Sequence, residues 1–216
     1  MNEREVLEAI CESCRRLHAR NLLAAGDGNI AFRFGDHRIV MTPAGVNKAK
    51  LRASDLAWMR LDGTILSGRP SSERAMHLAL LKAVPEARAV VHAHPPIAIA
   101  WSLAHPEMTH LPDDAIPEAI LAAGRIPIVP YARPGTDAMG RNLLPFLPQH
   151  RLMILARHGA LCWGETVEDA YNGIERLEHL CLILKQALEM GGTRPLPPEE
   201  LEALRKQRDW IGPRVL

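Results

Sequence analysis

No apolar run in the 216-residue sequence approaches the ~20 residues that a membrane-spanning helix needs. Neither sign of charge is in surplus: 26 Lys and Arg face 25 Asp and Glu, a net charge of +1. Phosphate-tracking surfaces are strongly basic, so neither a nucleic acid nor a membrane surface is expected as a partner. The N-terminus, MNEREVLEAI, has acids where a signal peptide has a basic stretch and an apolar core, which points to a cytoplasmic location. Cysteine is scarce, with four in the chain. Cys11 and Cys14 form a C-x-x-C inside an expected helix, but there is no second pair to complete a zinc site. They read as ordinary thiols, and Cys162 and Cys181, among apolar neighbours, as small buried hydrophobes. Repeats, low-complexity tracts and linkers are absent as well. What is present, 47% hydrophobic and 24% charged residues, is an ordinary globular balance. The length suits one domain over 1–216, with the tail after about 191 peripheral.

Residues 5–23 place Val6, Leu7, Ile10, Cys14 and Leu17 on one stripe, the mark of an amphipathic helix that ends at the Gly-rich turn AAGDGN. IAFRF and HRIVMT read as strands joined by a hairpin, as do the halves of DLAWMRLDGTIL around its Asp-Gly turn. GRPSSE leads into a helix from about Ser72 to Ala83. ARAVVHAH is a short buried strand, followed by a helix through AIAWSLAH. Residues 117–123 are expected to be helical, IPIVPY a strand, and TDAMGRNLLPFL a helix broken by Pro145. RLMILARHGAL reads as an apolar strand running into a loop. The longest helix, 166–190, closes at Gly191 and Gly192, and the Pro- and charge-rich tail beyond is expected at the surface. Hairpins mixed with helices predict a layered α/β domain.

The strongest chemical signal is VVHAHPP. Alternation along a strand puts His92 and His94 on one side, where two neutral imidazoles can grip one cation, zinc above all. The competing reading is two unrelated histidines at a strand end. For a third ligand, His158 also ends an apolar strand and precedes Gly159, which permits a tight turn. His18 and His179 lie on helices, His37 and His150 in polar turns, and His105 and His110 near prolines, so each reads as a surface or packing histidine. Glu73, in the first turn of a helix that Ser71 or Ser72 could cap, supplies a carboxylate; read alone, it is a helix-start acid favoured by the dipole. Three histidines and a displaceable glutamate suit catalysis better than a closed structural site. His77, four residues on, shares the helical face of Glu73 and could orient it, touch the substrate or simply pack.

Three segments have the makings of an anion site. GDGN (26–29) and PAG (43–45) offer glycine-flanked amides, and Ser71 and Ser72 add hydroxyls at a helix N-terminus.

Together, GDGNIAFR, TPAGV, GRPSSE, VVHAHPP, PYARPGT and HGAL resemble the class II aldolase/adducin family, in order and from about residue 5 to 190. The resemblance implies a three-layer α/β/α fold with a central, largely antiparallel sheet, and a homotetramer with active sites at subunit interfaces. It implies that His92, His94 and His158 hold zinc, with Mn2+, Co2+ or Fe2+ as alternatives, joined by Glu73 when substrate is absent. Gly28, Asn29, Ala44, Gly45, Ser71 and Ser72 would hold a substrate phosphate, and Glu73 would be the catalytic acid/base. The implied activity is aldol cleavage of a ketose 1-phosphate such as fuculose 1-phosphate. The alternatives are dehydration of methylthioribulose 1-phosphate, or an epimerase or decarboxylase reaction; an adducin-like interaction module would lack the metal ligands. The chain also departs from the family. Ala44 and Ala31 stand where a hydroxyl residue is frequent, and HLPDDAIPEAI (110–120) lacks the tyrosine that fuculose-phosphate aldolases use as acid at the alkoxide. Asp113, Asp114 and Glu118 are the substitutes in reach of that loop, and the only tyrosines are Tyr131 and Tyr171.

Overall fold

The computed structural model describes residues 2–212, 214 and 215. Helix α1 (Glu3–Ala19) opens on an Asn2–Glu5 capping box and buries Val6, Ile10, Cys14 and Leu17, as its stripe predicts. It stops four residues short of the expected end, because Asn21 takes a positive φ and turns the chain.

Eight strands form one sheet in the order β4-β3-β2-β1-β5-β8-β7-β6. They are β1 (Asn29–Phe34), β2 (Arg38–Met41), β3 (Ala57–Arg60), β4 (Ile65–Ser67), β5 (Ala89–Ala93), β6 (Ile128–Val129), β7 (Leu152–Leu155) and β8 (Gly159–Gly164). Every pairing is antiparallel except β6 with β7. Alternation sorts the side chains onto two cores. Ile30, Phe32, Val91, Ile154 and Cys162 face α1, α3 (Pro96–Ala104) and α5 (Val167–Glu189). Ala31, Val90, Met153, Leu161 and Trp163 face α2 (Arg74–Ala83) and α4 (Asp137–Leu143). The result is a three-layer α/β/α fold with a largely antiparallel sheet.

Four expectations are corrected or refined. The segment after His158 is a strand, β8, not a loop; all six of its residues are buried, and with both faces covered it shows no polar alternation. The tail forms a 14-residue helix, α6 (Pro198–Ile211), which starts on a proline at its first position and buries no residue. Residues 117–123 shrink to one π-helical turn, Ala119–Ala123, and IPIVPY to the two residues of β6.

Candidate metal centre and anion site

His92 belongs to β5, opposite Asn29 on β1 and Leu161 on β8. It shares the α2-facing side of the sheet with Val90. His94 follows one residue past the strand end, and its amide donates to the Leu22 carbonyl at 2.8 Å. His158 sits in the β7–β8 turn, placed by its amide bonding the Leu155 carbonyl at 3.0 Å. Gly159 permits the approach: a Cβ there would lie 2.4 Å from the Ala93 carbonyl and 2.9 Å from the His92 ring. The three imidazole centroids are each 4.9 Å apart. None of the other histidines joins this ligand set.

Glu73 precedes α2 at the N-cap position, one residue before the expected first turn, and Ser71 Oγ accepts its amide hydrogen at 3.2 Å. Its carboxylate faces the histidines: Oε1 lies 2.9 Å from His158 Nε2, and Oε2 lies 3.3 Å from His92 Nε2. Asn29 Nδ2 donates to Oε2 at 2.7 Å, and His77 Nε2 donates in turn to Asn29 Oδ1. Burial opposes ionisation of Glu73, but hydrogen bonds from His158, His92 and Asn29 outweigh it and hold the carboxyl well below the usual range. Burial pushes the His77 imidazole down to about 3. Burial, with the neighbouring His92 and His158, pushes His94 down to about 4.

This donor set fits a zinc-like cation. His92 Nδ1 donates to the Ala160 carbonyl at 2.9 Å, so once Nε2 gives up the proton it shares with Glu73, that lone pair can ligate a cation. His92 Nε2 and His94 Nε2 are 3.1 Å apart. Tetrahedral zinc–nitrogen bonds would place neighbouring ligand atoms about 3.3 Å apart.

Beside the cluster, three loops meet. Ser71 donates its amide hydrogen to the Thr42 carbonyl at 3.2 Å, and a Cβ on Gly26 would lie 3.7 Å from the Val46 carbonyl. Among the described residues, the Gly28, Gly45 and Ser72 amides have no intramolecular acceptor, as an anion site requires. Gly28 has a φ of +66°, and a Cβ there would strike Leu23 and the His92 carbonyl. Two predicted members differ in detail. The Asn29 side chain is taken up by Glu73 and His77, and the Ala44 amide by the Arg69 carbonyl at 3.0 Å.

The acids of the 110–120 loop stay apart from the cluster. Asp113 pairs with Arg125 at 3.1 Å, and Glu118 lines a cleft of about 800 Å³ with Arg20, Ile116 and His179. Tyr171 is buried with Arg16 stacked 3.8 Å from its ring, whereas Tyr131 is 57% exposed. The role of Asn29 as a side-chain partner of Glu73 escapes local sequence reading. Its one signal is the strand register that sets it opposite His92.

Residues 8–184 match the profile of the Class II Aldolase and Adducin N-terminal domain. The chain is 30% identical over 173 residues to the 3-oxo-tetronate 4-phosphate decarboxylase of Haemophilus influenzae, covering 79% of this chain and 82% of that one. It is 30% identical over 165 residues to the L-fuculose phosphate aldolase of Methanocaldococcus jannaschii, covering 76% and 87%. Among solved structures, YgbL from Escherichia coli superposes with a TM-score of 0.87 at 27% identity, over 94% of this chain and 99% of that one. With its fold and its ordered motifs, this chain belongs to the class II aldolase/adducin family.

Proposed function

We propose that the chain is a metal-dependent lyase that breaks a carbon–carbon bond beside the carbonyl of a small phosphorylated sugar or sugar acid. The observation that carries this reading is Glu73, an ionised carboxylate whose two oxygens lie 2.9 Å from His158 and 3.3 Å from His92, next to three converging loops. A divalent cation held by His92, His94 and His158, zinc before Mn2+, Co2+ or Fe2+, would supply Lewis acidity to the carbonyl and enediolate oxygens. Glu73 would complete the cation's ligands in the absence of substrate. In turnover it would carry the proton at the carbon where negative charge develops. The free amides of Gly28, Gly45 and Ser72, with the Ser71 and Ser72 hydroxyls, would hold the phosphate. Asn29 and Ala44 would shape that pocket through the backbone.

Two cleavages lead to one intermediate. Retro-aldol cleavage of a ketose 1-phosphate releases an aldehyde, and decarboxylation of 3-oxo-tetronate 4-phosphate releases carbon dioxide. Each leaves the enediolate of dihydroxyacetone phosphate, which a proton taken from water and relayed through Glu73 would complete. Aldehyde release also needs a base for the hydroxyl beyond the breaking bond, whereas an ionised carboxylate needs none. Because residues 110–120 offer no tyrosine, decarboxylation is favoured over aldol cleavage. Dehydration and epimerisation begin from the same carbonyl and stand as alternatives.

The test is a panel of 3-oxo-tetronate 4-phosphate, fuculose 1-phosphate and methylthioribulose 1-phosphate. Dihydroxyacetone phosphate would be read enzymatically, and carbon dioxide and dehydrated product by mass spectrometry. The expected result is carbon dioxide release above the spontaneous rate, lost on chelation and restored by zinc. Cleavage of the ketose phosphate alone, abolished in Tyr131→Phe, would establish the aldolase instead. Turnover of none of the three would remove the reading. His94 and His158 remain partly exposed in the single chain, which favours a homotetramer whose neighbouring copy encloses the site, a state that light scattering would reveal.

A further inference from the structure

Lys48 follows the 43–46 loop and is only 1% exposed. Its ammonium donates to the carbonyls of Gly26 at 2.9 Å, Val46 at 3.0 Å and Pro43 at 3.3 Å. Its own amide donates to the Ala25 carbonyl at 3.1 Å, a second tie to the 24–28 loop beside the Gly26 bond. Three N–H donors meet three acceptors, so the hydrogen bonding of the ammonium is complete. Burial works against its charge, which Asp27 favours only from beyond ion-pair reach. Among the described residues, no carboxylate forms an ion pair with it, and Asp27, on the same loop as Gly26, lies 3.6 Å from His94 Nδ1 instead.

Lysine is almost never buried without an acid, because an unpaired charge is expensive to remove from water. The two loops that Lys48 joins are those whose Gly28 and Gly45 amides lack acceptors. One of them carries alanine at position 44, where a hydroxyl would have added a donor. We propose that Lys48 is the positioning residue and fixed positive charge of the anion site: its three bonds set the spacing of the two loops, and its missing counter-ion is the phosphate group of the ligand. This rests on the anion site proposed above, but it concerns a residue that does not itself line the pocket through a free donor. A charge held under the loops acts through a low-dielectric layer, where screening is weak.

The experiment titrates metal-loaded protein with inorganic phosphate by calorimetry, alongside Lys48→Met, Lys48→Gln and Lys48→Arg. Methionine keeps the apolar stem and loses both charge and donors. Glutamine keeps two donors and loses the charge, and it serves in place of methionine should that variant fail to fold. Arginine keeps the charge. Parental phosphate binding weakened about ten-fold or more in Lys48→Met and Lys48→Gln, but held within about three-fold in Lys48→Arg, is the expected result for one nearby charge. Metal content should be equal in all four proteins. Parental phosphate affinity in Lys48→Gln would overturn the electrostatic role and leave Lys48 as a loop tie. No phosphate binding by the parent would overturn the anion site, and Lys48 with it, so the two failures are distinguishable.

Discussion

The proposed role requires Glu73 to be buried, charged and available to a proton all at once. Its environment solves this with a chain of donors of fixed polarity. Neutral His77 donates through Nε2 to Asn29 Oδ1, so the Asn29 amide turns its NH2 group to Glu73 Oε2, which leaves Oε1 toward His158. If Glu73 moves the proton, Glu73→Gln should lower turnover ~10²–10⁴-fold. The protein should stay folded and metal-bound, because imidazoles alone can hold zinc. Retention of more than about a tenth of parental turnover would remove Glu73 from the mechanism, given that expected loss. The same buried imidazoles give the metal-free protein a pH dependence. Unfolded, His77 titrates near 6.5; folded, it resists protonation until about 3. Below 6.5 the unfolded chain therefore binds a proton that the folded one refuses, and stability falls as the pH drops from about 6.5 toward 3. His94, pushed down to about 4, acts in the same direction. Thermal melts of the metal-free protein should show Tm falling across that window, less steeply in His77→Gln. An identical slope in the variant would exclude His77 as a cause.

At the scale of elements, the three-histidine cluster depends on the close packing of the β7–β8 turn against the end of β5. A methyl on Gly159 would meet the Ala93 carbonyl at 2.4 Å, His92 Cε1 at 2.9 Å and His94 Cδ2 at 3.0 Å. Gly159→Ala should cost ~1–3 kcal/mol, as overpacking does. Because it shifts two ligands at once, it should weaken zinc binding at least ~10-fold, the lower end for disturbed supports of a metal ligand. Chelator competition measures this, and a variant with parental zinc affinity would show that the turn adapts. The histidine cluster could be read from the sequence because local pattern encodes it: a strand of period two aligns His92 with His94, and a glycine follows His158. Strand β8 escaped the same reasoning because GALCWG is buried on both faces and lacks polar alternation. Helix α6 was hidden by the prolines before it and by a surface that buries nothing. The tie of Lys48 to Gly26 and that of Asn29 to Glu73 could not be placed locally, since these partners lie 22 and 44 residues away in the chain.

For the whole molecule, strand order decides where chemistry can assemble. β1, β5 and β8 are neighbours, so Asn29, His92 and Leu161 stand side by side in register, and the loops before β1, after β2 and before β8 open together. Among the described residues, no side chain beyond α5 joins the histidine cluster. Helix α6 instead packs on the turn Ala119–Ala123, where Arg208 donates to the Leu121 carbonyl at 2.8 Å and the Ala123 carbonyl at 3.4 Å. The Leu196 amide adds a bond to the Asp114 carbonyl at 2.8 Å. Ending the chain at Gly192 therefore removes supports of the 110–124 segment and none of the cluster. Losing a few such hydrogen bonds, each worth ~0.5–1.5 kcal/mol net, should lower Tm. It should also open residues 110–124 to limited proteolysis while zinc affinity stays within a few-fold of the parent. If the truncated protein lost zinc as well, α6 would be coupled to the metal centre through the sheet. The separation between the histidine cluster and the α6 face would then fail.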